Sequence, residues 1–289
     1  MRFHGQKLNP SRLDRSQIKI FAILIPLAVV MALPIVYIVV TAFKPLDELF
    51  AFPPKFFVRK PTTQNFRSIL TNMSSLGIPF SRYLINSLVI TILVIVLSIF
   101  ISLSAGYVLS KKKFKAKKLL FSINTLSLMF VPAAVGIPRY LIISKAQLIN
   151  TFAIQILPLL AMPVCLFLVK QFIDQVPDSL IESARMDGAG DLTIMLRIVG
   201  PVVKPSLATV GMLAFQAGWN SIEASNLYIL DDTLRTLPFY MSALTSQANV
   251  VAGAGMAAAS SLIQFLPNLI VFIVLQSRVI NTMAYSGIK

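Results

Sequence analysis

The sequence predicts an all-α polytopic membrane protein, a helical bundle with about six transmembrane helices. Hydrophobic residues make up 56% of the 289 residues and charged residues only 13%, about half the charged share of a soluble domain. The mean hydropathy is +0.78. Apolar runs of 17 to 26 residues, long enough to cross ~30 Å of hydrocarbon, recur at 20–43, 85–110, 119–138, 151–170, 206–222 and 253–276.

The first element is a tail over residues 1–19, followed by a predicted span over 20–43. This apolar run is too long for a signal-peptide core and lacks a small-residue cleavage site, so we expect it to remain in the mature chain. Positive residues near span ends stay on the cytoplasmic side. The tail is therefore predicted to be cytoplasmic and segment 44–82 external, because the tail carries Arg2, Lys7, Arg12, Arg15 and Lys19.

The remaining elements form a predicted core over 83–277, with five further spans, and a cytoplasmic tail over 278–289. The link between the second and third spans reads KKKFKAKK, Lys111 to Lys118. With six spans, this link, both termini and segment 171–205 all face the cytoplasm. We therefore interpret the net charge of +15 as a topology signal and contact with lipid headgroups, and not as a nucleic-acid-binding surface.

The predicted spans are nearly free of the ionisable residues that ion-coupled pumps use. Arg139 and Glu223 lie at predicted span ends, and no GxxxxGK[ST] phosphate-binding loop occurs. The chain has one histidine, His4, and one cysteine, Cys165, so neither a metal site nor a hydrolase is expected. The sequence thus predicts a protein that is not an enzyme and that takes energy from a separate polypeptide.

Segment 171–205 is unusually polar for a connection between spans. Ser179 and Glu182 have the S-x-x-E spacing of a capping box at a helix start. Gly188 is suited to the left-handed conformation at a helix end. We expect a second short helix from Asp191 that stops before Pro201 and Pro205. Five acidic residues make it unfavourable for this segment to lie on anionic lipid and favour contact with a protein partner. They are Asp174, Asp178, Glu182, Asp187 and Asp191. The apolar face of the first helix is predicted to hold Leu180, Ile181 and Ala184.

The order of residues in this segment resembles the EAA signature of binding-protein-dependent ABC importer permeases, E-A-A-x3-G-x9-I-x-L-P. Here it runs Glu182-Ser183-Ala184, three residues, Gly188, nine residues, Ile198-Val199-Gly200-Pro201, so Ser183 and Gly200 depart from it. Further phrases are similar to the sugar-importing, MalG-like branch. They are TAFKP (41–45), Pro53-Pro54, Asn86-Ser87-Leu88, AGYVLSKKKF (105–114), LINT (148–151), LVKQF (168–172), ARMDGAG (184–190) and Trp219-Asn220.

The resemblance implies a type I ABC importer permease fold in a bacterial inner membrane. It implies a second, non-identical permease, two ATPase subunits, an extracytoplasmic solute-binding protein and a carbohydrate substrate, expected to be an oligosaccharide. This chain would bind no cofactor, since ATP and Mg are used by the ATPase. The implied ATPase-docking residues are Glu182, Ser183, Ala184, Arg185, Asp187, Gly188, Ile198 and Pro201.

Polar and aromatic residues within the spans are candidates for the substrate path. They are Asn124, Gln155, Phe215, Gln216, Trp219, Asn220, Gln264 and Asn268. The alternative is that the amides bind neighbouring helices and that Trp219 anchors the membrane interface. Two rival functions stay open: a permease for another solute, such as an amino acid, phosphate or a phosphate ester, and a membrane scaffold without a pore.

Overall fold

The computed structural model describes residues 18–71, 77–247 and 252–286, and the regular structure in these ranges is helical. Nearly all of the predicted tail 1–19 and the last three residues of the predicted tail 278–289 lie outside them. The α-helices of the first half are α1 (Ile18–Ala42), α2 (Leu46–Leu49), α3 (Gln64–Thr71), α4 (Phe80–Lys111), α5 (Lys117–Ser127) and α6 (Gly136–Lys145).

The second half is more finely divided. Its α-helices are α7 (Leu157–Leu160), α8 (Pro163–Asp174), α9 (Asp178–Met186), α10 (Asp191–Thr193), α11 (Gly200–Val202), α12 (Lys204–Trp219), α13 (Glu223–Leu227), α14 (Leu237–Gln247) and α15 (Ala252–Ser286). Short 3-10 turns lie at Pro132–Val135, Phe152–Gln155 and Asp232–Leu234. A π-helical turn covers Ile194–Val199.

Among the described residues, three helices are long and apolar enough to cross a membrane alone, within α1, α4 and α15. Two bent pairs also qualify if each is one span: 152–160 with α8, bent by 46°, and 191–202 with 204–227, bent by 88°. The predicted run 119–138 is not one helix. It is divided between α5, a 3-10 turn that begins at Pro132, and the start of α6, because proline interrupts helix hydrogen bonding. The count of six spans stays a prediction.

The chain divides into two compact units, and the smaller holds residues 1–69 and 244–262. In it, the Asn65 side chain of α3 donates hydrogen bonds to the carbonyls of Ala42 and Lys44, both at 2.9 Å. Gly255 lies so close to Asn65 that an added Cβ would be 2.7 Å from the amide nitrogen. The apolar stretch of α1 has no buried residue over its most hydrophobic window, as expected for a helix that faces lipid.

The larger unit holds residues 70–243 and 263–289, and α4 packs there against α8 and α12. Small residues allow these helices to approach closely: a Cβ on Gly218 of α12 would lie 3.0 Å from the Thr91 Cα of α4. Cys165 of α8 is fully buried in the core. Other members of this core are Leu103, Tyr107, Val169, Ile173, Val199 and Val210.

The connection over 228–236 is fastened to the larger unit by side chains from two of the family-like phrases. The Asn86 amide donates to the carbonyls of Thr233 and Arg235 at 2.8 and 2.9 Å. The Asn150 side chain accepts from the backbone N–H groups of Leu230 and Asp231. These phrase residues therefore supply hydrogen-bond partners to backbone groups of the connection.

Candidate coupling site

Helix α9 is the centre of the polar segment and begins differently from the sequence prediction. Pro177 is the N-cap, with φ −59° and ψ 135°, and no side chain caps the helix. The predicted capping box of Ser179 and Glu182 is therefore wrong, because the helix starts at Asp178 and places Ser179 inside the first turn. The carboxylate of Asp178 instead lies where the positive end of the helix dipole favours an anion.

The end of α9 confirms the role predicted for Gly188. Its φ is +79°, a left-handed conformation that glycine adopts without strain. The Gly188 N–H donates to the Arg185 carbonyl at 3.0 Å, and the Ala189 N–H donates to the Ala184 carbonyl at 2.9 Å. This pair of bonds is a Schellman motif, which satisfies the last carbonyls of a helix. The polar segment therefore turns sharply at Gly188.

The two faces of α9 have different surroundings. Ile181 and Ala184 are buried in the core of the larger unit. Leu180, predicted on that apolar face, is 45% exposed instead. Met186 is 88% exposed and lies three and four residues after Ser183 and Glu182, on the same helix face. The sequence analysis did not single out Met186, although its helical spacing from these residues was available.

Beyond Gly188, the helix that starts at Asp191 does not stop before Pro201 as predicted. It widens into the π turn Ile194–Val199, after which Pro201 occupies the first turn of α11, where a helix needs no N–H donor. The Gly200 N–H donates to the Met195 carbonyl, and a Cβ at Gly200 would lie 3.2 Å from that oxygen. Glycine at this signature position therefore fits the π turn, while Ile198 packs against the core and Pro201 is exposed.

The lysine run after α4 contacts this segment at its beginning. Lys111 Nζ lies 2.7 Å from Asp178 Oδ1 and donates to the Val176 carbonyl at 2.5 Å. The Lys111 side chain is only 8% exposed. Its hydrogen bond and positive charge hold the pKa of the Asp178 carboxyl below its usual value. Lys111 thus binds the turn that precedes α9.

A second set of contacts holds the residues after α9. Lys112 Nζ lies 2.6 Å from Asp191 Oδ2, and Arg185 lies 3.6 Å from Asp191 Oδ1. The Tyr107 hydroxyl donates to the same Asp191 oxygen at 3.3 Å. The lysine run, interpreted from sequence as a topology signal, therefore also binds the polar segment.

These pairs change the interpretation of the acids in the segment. Asp174, paired with Lys170 at 2.6 Å, joins Asp178 and Asp191 as an acid neutralised by this chain's own lysines. Glu182 and Asp187 are exposed and have no ion pair with any described residue. Glu182 also lines a groove of about 550 Å³ between α9 and the lysine run. The surface left for a partner is therefore smaller than the sequence suggested.

Six of the eight substrate-path candidates fall into two groups. Asn124 of α5 donates to the Pro163 carbonyl at 3.1 Å. Trp219 is 4% exposed and donates to the Gln264 carbonyl at 3.0 Å, and Phe215 stacks on its ring at 6.0 Å. Asn124 therefore joins neighbouring helices, as the packing alternative predicted for the amides, and the buried Trp219 joins α12 to α15, a contact that the sequence analysis did not predict.

The second group lies between α12 and the part of α15 in the same unit. Asn220 and Asn268 exchange side-chain hydrogen bonds of 3.4 and 3.2 Å, and Gln216 is exposed one turn before Asn220. Exposed amides suit hydroxyl-rich solutes, because they both donate and accept. In the part of the chain that the structure describes, no group of His, Cys, Asp or Glu side chains could hold a metal ion.

Comparison with known proteins places this arrangement in a family. The family model described as binding-protein-dependent transport system inner membrane component matches residues 98–277. The melibiose/raffinose/stachyose import permease protein MelC of Bacillus subtilis is 32% identical over 75% of this chain and 77% of its own length. The sulfoquinovosyl glycerol transport system permease protein SmoH of Agrobacterium fabrum is 26% identical over 89% of this chain and 88% of its own.

A solved structure shares the fold. One chain of a bacterial ABC transporter involved in the import of the acidic polysaccharide alginate has a TM-score of 0.76 and 21% identity, covering 93% of this chain and 99% of that one. The all-α membrane fold, the match over 98–277 and the relatives agree with the resemblance found in the EAA-like segment. The chain belongs to the family of binding-protein-dependent transport system inner membrane components, the permease subunits of ABC importers.

Proposed function

We propose that this chain forms half of the translocation path of an ABC importer for an oligosaccharide. The solute is delivered by an extracytoplasmic binding protein, and ATP with Mg is used by two separate ATPase subunits. A second, non-identical permease supplies the other half of the path. The relatives named for oligosaccharide import, including an arabinooligosaccharides permease 27% identical over 91% of this chain, support this substrate class.

The main support for the proposal is the difference between the buried and exposed faces of α9. Its inner face, Ile181 and Ala184, is packed in the core, while Glu182, Ser183 and Met186 are exposed together on the outer face. A short helix fixed on one side and bearing mixed charged and apolar groups on the other fits a cleft in a partner protein. We infer that the ATPase grips this face and that closure of two ATPases moves the permeases.

Two substitutions test the coupling. We expect Glu182→Lys to uncouple ATP hydrolysis from uptake because it reverses the charge on the outer face. Gly188→Pro should do the same, since proline cannot adopt φ +79° and would lose the N–H bond to Arg185. Both variants should still insert in the membrane. Solute uptake by proteoliposomes is measured against ATP hydrolysis, and wild-type uptake by both variants with normal complex assembly would refute the coupling role.

The substrate class is tested on the partner binding protein. Its melting temperature is measured with raffinose, an arabino-oligosaccharide, a mixture of amino acids and glycerol phosphate. We expect stabilisation by an oligosaccharide only, because ligands that bind the native state raise the melting temperature. Stabilisation by an amino acid or by the phosphate ester would replace the carbohydrate assignment with that solute.

A further inference from the structure

The lysine run at the end of α4 is a part of the molecule that the proposed function does not use. Adjacent residues of this run contact both ends of the docking helix α9: Lys111 binds Val176 just before it and Asp178, its first residue, and Lys112 binds Asp191 after it. These partners lie 65 to 79 residues from the lysines in sequence. The contacts therefore join a membrane-spanning helix to the docking helix directly.

We propose that Lys111 and Lys112 form a clamp that transmits movement of the docking helix to α4, so that they are positioning residues of the transport cycle. The clamp consists of these lysines, the Val176 carbonyl, Asp178 and Asp191. The proposal rests on the proposed function, because it needs an ATPase that pulls on α9. It assigns a mechanical role to residues that otherwise serve only topology.

The packing beneath α9 explains why a clamp is needed. Ile181 and Ala184 belong to the same buried apolar cluster as Tyr107 and Ile173, and apolar contacts are non-directional. An apolar face alone resists separation of α9 from α4 but fixes its rotation weakly. Two ion pairs remove that freedom, because one fixes the first residue of α9 against α4 and the other fixes Asp191, which follows the turn after the helix.

The length of α4 is suited to this role. Its 32 residues extend about 48 Å, compared with ~30 Å of hydrocarbon. The helix is therefore long enough to extend beyond the apolar layer. It also packs against both α8 and α12. A displacement received at Lys111 and Lys112 would reach α12, which carries Asn220 at its C-cap.

A charge exchange tests the clamp in the assembled importer, with its partner permease, ATPases and binding protein in proteoliposomes. Asn220→Cys is introduced as a reporter, and its labelling rate by a membrane-impermeant maleimide is measured without and with MgATP. Lys112→Asp should reduce the ATP-dependent change in labelling rate about two- to fivefold, the range that an exposed ion pair supports. Lys112→Asp combined with Asp191→Lys should restore part of it, because a lysine at position 191 would also face Arg185, which now lies 3.6 Å from Asp191.

The matched control is Lys115→Asp, which changes the same charge in the same run. Lys115 is exposed and has no ion pair or hydrogen bond to any described side chain, so the response to MgATP should remain that of the parent. All variants should co-purify with the ATPase, because the outer face of α9 is unchanged. A purely structural contribution of Lys112 would lower the yield of the assembled complex together with the response to MgATP.

The outcomes separate the two proposals. If the parent complex shows no MgATP-dependent change at Asn220→Cys, the proposed function is wrong. If the parent responds and Lys112→Asp responds equally, the clamp is wrong while the proposed function stands. A loss in Lys112→Asp that the exchanged pair does not restore even in part also overturns the clamp, since the effect would then not depend on this pair.

Discussion

At the scale of single residues, Gly188 and Gly190 lie close together but differ in whether their backbone conformation requires glycine. Gly188 has φ +79°, whereas Gly190 has φ −74° and ψ 161°, which any residue adopts. An added Cβ meets no atom within 4 Å at either position. Only the backbone conformation therefore distinguishes them, and only Gly188 should resist substitution.

We expect Gly188→Ala to strain the end of α9 by about 1–2 kcal/mol, which increases local opening roughly 5- to 30-fold. Amide hydrogen exchange of a peptide covering 178–190 should accelerate by that factor. Gly188→Asn should have a smaller effect, because asparagine tolerates this conformation better. Gly190→Ala is the control, and equal exchange in the two alanine variants would contradict the assignment of the Schellman motif.

Residue patterns in the sequence predicted local chemistry better than distant partners. The helix end at Gly188 follows from the residues around it and was predicted correctly. The pairing of Asp178 with Lys111 joins residues 67 positions apart, and no local pattern could indicate it. For the same reason the sequence left Trp219 open between anchor and substrate path, since its bond to Gln264 depends on how α12 meets α15.

At the scale of elements, α12 can pack closely against α4 because Gly218 has no side chain at the contact. Gly218 would place a Cβ 3.0 Å from the Thr91 Cα, so a side chain there must push a backbone. Gly211, on the same helix, would place a Cβ 3.6 Å from the Ile99 Cδ1, an ordinary contact. The two glycines provide a matched pair within one helix.

We expect Gly218→Ala to destabilise the protein by about 1–3 kcal/mol, the usual cost of overpacking. Gly211→Ala should not destabilise it, because alanine fits and favours the helix. Thermal unfolding of the purified protein in detergent measures both. A melting temperature for Gly218→Ala equal to that of the parent would mean that α4 and α12 separate without cost at this point.

Elements were predicted reliably where composition is uniform and poorly where proline divides them. The runs 20–43 and 85–110 are each covered almost wholly by a single helix, the first of them with Pro26 and Pro34 inside it. The run 119–138 is broken at Pro132, and the helix after Asp191 continues past Pro201. Pro132 interrupts a predicted helix, whereas Pro201 lies in the first turn of α11. Only the three-dimensional path of the chain distinguishes these two cases.

At the scale of the whole molecule, the order of spans sets which segments share a side of the membrane. The relatives and the apolar helices indicate a multi-pass protein of the inner membrane. The placement of both termini in the cytoplasm remains a prediction from the basic residues. That prediction puts Phe52, which is 95% exposed, outside, and Lys115 inside.

We expect Phe52→Cys to react with a membrane-impermeant maleimide in intact spheroplasts, because the first connection would be external. Lys115→Cys should react only after the membrane is permeabilised. Gel-shift detection of the labelled chain measures both variants, each with wild-type expression. Reaction of Lys115→Cys alone in intact spheroplasts would reverse the predicted orientation, and equal reaction of both positions would show that α4 does not cross the bilayer.

The burial of Cys165 has a practical consequence for all such work. It is the only cysteine in the chain, and its sulfur lies in the core of α8 beside the Met162 thioether, without any exposed surface. A polar reagent cannot reach it while the fold is intact. The native cysteine therefore does not need to be removed before thiol-labelling experiments on this chain. Each introduced sulfhydryl would then report alone, and sudden reaction of the parent would signal that the core itself had opened.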